Sequence, residues 1–194
     1  MKKKTAKAKK TTKKKPSPFY AQSERLGFRL LTSDDEALYT ELFTDAKTLE
    51  YVSPPLSPER AAQSFRKALE VTAILPVKQR ISVIVERATK KSIGIASLKM
   101  IDPEKRRAEG GLLLKPTAHA QRFAIESSLA LISAAFRRHT IDELSARVTV
   151  GHKAGEKLVA GSNYELRGLI APEGDRPARN CWAMTREYWA NNFK

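Results

Sequence analysis

The chain has 194 residues, 41% hydrophobic and 29% charged, with a formal net charge of +15. That length suffices for one domain with a real core. No apolar run reaches the ~18 residues of a membrane span, and the basic start leads into threonines and more lysines, not into the apolar stretch of a signal peptide. One cysteine, Cys181, excludes an internal disulfide framework and fits a reducing, cytoplasmic setting, and three scattered histidines beside it make no metal set.

Nine of the 36 basic residues fall in the first fifteen positions, with no acid among them: Lys2, Lys3, Lys4, Lys7, Lys9, Lys10, Lys13, Lys14 and Lys15. Residues 1–22 cannot bury enough apolar surface to offset the entropy of ordering, so a disordered tail is expected there, with a single folded domain over 23–194. Lysine runs hold nucleic-acid backbones through counterion release, without reading sequence. The same composition also makes a plain solubility tail.

The spacing predicts a first strand over 23–31. A helix start follows at 32–36, with acids in the first turn where the dipole favours them and Ala37, Leu38, Leu42 and Phe43 as its apolar stripe. A short segment spans 47–52 before Pro54 and Pro55 break the chain. Ser57, Pro58 and Glu59 open a second helix running to about 71, with Ala61, Phe65 and Leu69 at i, i+4, i+8. Strands at 81–85, 93–101 and 108–114 are joined by short turns and read as an antiparallel meander. Gly110 and Gly111 inside the third suggest a bulge or the close approach of a backbone or ligand. Pro116 ends that strand, and Phe123, Ile125, Leu129, Ile132 and Phe136 mark a helix over 121–138. Its free first-turn N–H groups would make an anion site. A strand at 143–150 then implies parallel pairing through the helical crossover. A helix over 153–162, a strand over 164–169, a Pro- and Gly-rich loop and a last strand over 180–188 complete the chain.

The stretch 106–127 resembles the cofactor-binding heart of GNAT N-acetyltransferases of the RimJ/RimL-like, ribosomal-protein type. Arg107, Ala108, Glu109, Gly111, Leu114, Pro116, Phe123, Ala124 and Glu126 stand in register with that family's pattern. The run from Ser23 to Leu31 resembles its opening strand, and Ala154, Leu158, Tyr164 and Gly168 match its C-terminal part. The resemblance covers residues 23–190. It implies an α+β fold, a mixed and mostly antiparallel sheet flanked by helices. It also implies transfer of an acetyl group from acetyl-CoA, with no metal, to an amine of a protein, such as a ribosomal protein, or of a small molecule. The backbone of Leu112, Leu113 and Leu114 would hold the pantetheine arm, and Ala118, His119, Ala120, Gln121, Arg122, Phe123 and Ala124 would meet the pyrophosphate. The family's two pyrophosphate glycines fall at Ala120 and Arg122. Its Asn and Ser fall at His152 and Gly155, and its Glu at Arg167.

Glu109 is the first candidate base: a carboxylate in an otherwise apolar strand, unless it turns to solvent or pairs with Arg106 or Arg107. His152 is the second candidate, as a proton donor near neutral pH. Because Arg122, Gly155 and Arg167 all depart from the family pattern, a non-catalytic module of the same fold, binding nucleic acid or ribosome through its tail, stands as the alternative.

Overall fold

The computed structural model describes residues 19–74, 76, 78–119 and 121–193. All nine tail lysines lie outside them. The strands are β1 (Ala21–Gln22), β2 (Leu26–Leu30), β3 (Gln79–Glu86), β4 (Ser92–Asp102), β5 (Arg107–Leu114), β6 (Glu143–Thr149), β7 (Glu165–Ile170) and β8 (Arg179–Thr185). They form one sheet in the order β1-β2-β3-β4-β5-β6-β8-β7. Every pairing is antiparallel except β5 with β6. This is the α+β architecture, mixed and mostly antiparallel, that the resemblance implies.

The helices are α1 (Glu36–Thr44), α2 (Ala46–Leu49), α3 (Pro58–Ala73), α4 (Pro116–His119), α5 (Phe123–Arg138), α6 (Lys153–Gly161) and α7 (Arg186–Asn192). They divide the apolar residues into two clusters. One gathers Phe28, Phe123, Ile132, Phe136, Leu144 and Met184 around α5. The other gathers Leu38, Leu42, Phe65, Val83 and Ile95 around α1 and α3. β3 feeds both, which is why Ile81–Val85 are all buried instead of alternating with exposed positions. Each large side chain buried here contributes about 1.5–3 kcal/mol.

Four expectations change. First, residues ahead of Ser23 join the sheet. β1 pairs with β2, Phe19 packs where a Cβ on Gly27 would stand, and Ser82 donates to the Tyr20 hydroxyl at 2.9 Å. Second, Gly110 and Gly111 carry no bulge. The β4–β5 register runs unbroken past them and slips only between Met100 and Asp102. Third, the turn after Pro116 contains the short helix α4, and α5 starts at Phe123 because Arg122 takes the left-handed conformation, φ 59°. Fourth, the last strand stops at Thr185, and Arg186, Glu187, Tyr188 and Trp189 belong to α7. The Thr185 hydroxyl caps that helix by accepting from the Tyr188 N–H. Arg186 then donates to the carbonyls of Phe136, His139 and Ile141, satisfying the chain end of α5.

Candidate active site

The site follows from where β5 and β6 stop pairing. Their parallel ladder has three rungs, Arg107–Glu143, Ala108–Leu144 and Glu109–Ser145. Beyond the third, β5 continues to Leu114 and β6 to Thr149 without each other. The buried Ser145 hydroxyl, donating to the Ala108 carbonyl at 3.1 Å, pins the last joined level. The backbone of Gly110–Leu114 therefore keeps its β4 partners on one side and is left without β6 on the other, where the Leu114 carbonyl meets the His119 ring at 3.2 Å and the groups before it are open.

The opening between the strands is a cavity of about 300 Å³. One wall is Glu109, Gly110, Gly111 and Leu112. The other is Ala146–Thr149 with Gly155, Leu158 and Val159 of α6. Leu131 of α5 and Tyr164 close the back, and Tyr51, His152 and Arg179 stand in the lining as well. Thr149 donates its hydroxyl to the Tyr51 carbonyl at 2.7 Å, tying the segment after α2 to the tip of β6.

Both candidate catalytic residues reach this cleft. Glu109 is half-buried and pairs with Arg147 at 3.0 Å. Arg106 and Arg107, the partners considered from sequence, are engaged by Asp142 and Glu143 instead. The His152 ring stacks flat on Tyr51, centroids 4.4 Å apart and planes 2° from parallel. Burial pushes its imidazole below the ordinary value, against the opposing charges of Glu156 and Glu50. At neutral pH this favours the neutral ring, which suits it to accept a proton. It also explains Gly155. A Cβ there would lie 2.6 Å from His152 Nδ1 and 2.9 Å from Val148 Cγ1. The imidazole thus occupies the space that a side chain on residue 155 would take.

Of the expected cofactor residues, Leu112 lines the cleft, while Leu113 packs against the second core cluster. Leu114, Ala118 and Phe123 are buried in the core, so only their backbone can meet a ligand. His119, Gln121 and Arg122 are exposed and Ala124 is half-buried, all around the start of α5. Ala120 lies outside the described residues. The left-handed Arg122 leads into α5 with no side-chain cap, so first-turn N–H groups stay free for an anion. Glu126 holds this end in place. It accepts from the Ser23 hydroxyl at 2.6 Å, the Arg25 N–H at 2.9 Å and Arg25 Nε at 2.7 Å. The Arg25 guanidinium also donates to the Gln121 carbonyl and lies over the Phe123 ring.

Arg167 stands apart. It lies at a register shift on the edge strand β7, exposed and paired with Glu165 at 3.1 Å. Sequence reasoning missed Arg147, Arg179, Tyr51 and Tyr164 as cleft residues. Arg147 falls in the polar phase of β6 and so reads as solvent-facing, whereas the splay turns that phase into a wall. Tyr164 reads as packing, yet it is a buried cleft residue whose phenol is pushed up by burial and stays protonated. Among the described residues, no group of His, Cys, Asp or Glu side chains could hold a metal ion, and no helix is long and apolar enough to cross a membrane.

The model of the acetyltransferase (GNAT) domain family matches residues 25–160. Among solved structures, the fold is similar to spermidine N-acetyltransferase of Vibrio cholerae in complex with CoA and spermine. The TM-score is 0.75 at 18% identity, over 87% of this chain and 100% of that one. It is also similar to a GNAT-family acetyltransferase of Bacillus anthracis, with TM-score 0.74, 14% identity and coverage of 86% and 98%. A third similar structure is the ribosomal-protein α-N-acetyltransferase RimL in complex with coenzyme A, with TM-score 0.73, 18% identity and coverage of 86% and 97%. No curated protein sequence matches. With the splayed sheet and a family match over most of its length, the chain belongs to the GNAT acetyltransferase family.

Proposed function

We propose that the protein transfers an acetyl group from acetyl-CoA to an amine on a protein or small molecule, in the manner of RimJ/RimL-like enzymes. The observation that carries this reading is the three-rung seam: it leaves the β5 edge unpaired beside a cavity that also contains Glu109 and His152. The unpaired backbone of residues 110–114 suits the amides of a pantetheine arm, which would add as a further strand. The free N–H groups at the start of α5, with the exposed Arg122 guanidinium beside them, suit a pyrophosphate.

In the transfer, the amine nitrogen attacks the thioester carbonyl carbon, the C–S bond breaks and the sulfur leaves as thiolate. The amine proton goes to a base in the cleft. His152, neutral at physiological pH, takes that proton, and Glu109, held by Arg147, is the other candidate base. The Tyr164 phenol, at the back of the same cavity, offers a hydrogen bond to the leaving sulfur. We also read the nine tail lysines as a polyanion contact that keeps the enzyme near nucleic acid or ribosome.

Calorimetry and thermal unfolding with acetyl-CoA test the reading. Ligand at 100 times its dissociation constant stabilises by about 2.7 kcal/mol, or roughly 5–10 °C for a domain of this size. Arg122→Gly is expected to keep or improve binding, because glycine adopts the left-handed conformation without strain. Arg122→Glu is expected to abolish it by placing a like charge at the phosphate. No heat and no shift at millimolar acetyl-CoA would sink the proposal, and equal binding by both variants would remove Arg122 from the phosphate site.

A further inference from the structure

Among the described residues, one guanidinium in the cleft has no ion pair. Arg179, at the start of β8, pairs in register with Thr149 at the open end of β6 and lines the cavity. Its Nε is shielded from solvent and has no hydrogen-bond partner among the described residues. Two acids of the cleft are committed elsewhere: Glu109 to Arg147 at 3.0 Å and Glu156 to the Asn180 amide at 3.2 Å. A shielded N–H left unpaired is costly, and an anion brought by a ligand would remove that cost. The planar guanidinium fork matches a carboxylate bidentately.

We propose that Arg179 is a subsite for a carboxylate on the acceptor. The substrate class is then an amine with a carboxylate close by, an amino acid or an acidic peptide terminus, and not a polyamine. This rests on the acetyl-transfer reading of the cleft. The geometry favours an acceptor anion over a cofactor phosphate, because the two places lie toward different ends of α6. Gly161, at its last turn, would place a Cβ 3.5 Å from Ile125 in the first turn of α5. Glu156, in its first turn, bonds Asn180, next to Arg179. Five residues separate Glu156 from Gly161, roughly 7.5 Å of helix axis. A polyamine would bring more positive charge against an unneutralised arginine.

The test uses the full chain and a reaction-product pair, N-acetylglutamate and its diamide, titrated by calorimetry without cofactor. The acid is expected to bind at least tenfold more tightly than the diamide. Arg179→Gln should abolish the difference, and Arg179→Lys should restore part of it. Acetyl-CoA affinity should be the same in all three proteins. Acetylation assays should then favour glutamate over glutamate diamide and spermidine, with KM for glutamate raised about tenfold or more in Arg179→Gln. Equal binding of acid and diamide by the wild type, or no binding of either at 10 mM, overturns the subsite. So does wild-type turnover of spermidine equal to or above that of glutamate. Weakened acetyl-CoA binding in Arg179→Gln would reassign the cation to the cofactor and overturn it too. Failure of the wild type to bind acetyl-CoA counts against the acetyl-transfer reading instead, while the product pair still reports on Arg179 alone.

Discussion

At residue 155 a side chain is excluded by a neighbour, not by backbone conformation, since the His152 ring stands where a Cβ would go. The two positions should therefore behave as a coupled pair. Gly155→Ser alone is expected to push His152 off Tyr51 and to destabilise the fold by about 1–3 kcal/mol, the usual cost of overpacking. Adding His152→Asn should recover part of that loss, and a double-mutant cycle in urea would measure the coupling. Strict additivity would show that Val148, not His152, sets the limit. Both residues were visible in the sequence as departures from the family pattern, but their dependence on each other was not. Spacing along a helix shows that residues 152 and 155 are neighbours, and it does not show which rotamer the histidine takes.

The start of α5 shows what an element needs beyond its apolar stripe. Phe123, Ile132 and Phe136 were legible by period, whereas the clamp that aims the helix joins residues some hundred positions apart in the chain. Glu126 meets Ser23 and Arg25 there. Burial works against the charged form of Glu126, yet the bonds from Ser23 and Arg25 outweigh it and hold the carboxyl below its ordinary range. A carboxylate lowered in the folded state adds stability above its unfolded pKa, ~4.3, and loses it as pH falls through the lowered value. Glu126→Gln is thus expected to cost about 1–3 kcal/mol at pH 7, as for hydrogen bonds to a charged group. The gap to wild type should close as pH drops from about 4.5 toward 3, which denaturant melts at stepped pH would show. A gap independent of pH would mean that the contribution is shape and not charge. α7 illustrates the opposite difficulty: residues 186–189 look like a continuing strand until the Thr185 cap and the Arg186 bonds to the end of α5 are seen.

Across the whole molecule, the β3–β5 meander and the parallel seam were legible because two turns are short and the connection from β5 to β6 is helical, whereas the placing of β8 between β6 and β7 was not. The resemblance put the cleft between β5 and β6, but its extent was not legible, because it depends on how many rungs they share, and hydrophobic pattern does not encode that number. Charge is likewise divided by region, with nine lysines and no acid in the first fifteen residues. Deleting residues 1–15 is expected to remove most salt-sensitive binding to duplex RNA or DNA. The slope of log K against log salt should flatten by about 0.9 for each phosphate that the shortened chain no longer neutralises. Unchanged affinity at low salt, measured by fluorescence anisotropy, would place the binding surface on the folded domain. The three-rung seam also has a consequence in time. During synthesis β5 is finished at Leu114, and its partner on the open side, β6, ends only at Thr149. At 5–20 residues per second that interval lasts roughly 2–7 s. Throughout it β5 is a bare sheet edge, open to any passing strand. β6 then covers its first three residues, and the rest stays uncovered inside the finished cleft. A ligand that lays its amides along Gly110–Leu114 is therefore the last strand of the sheet, supplied from outside the gene.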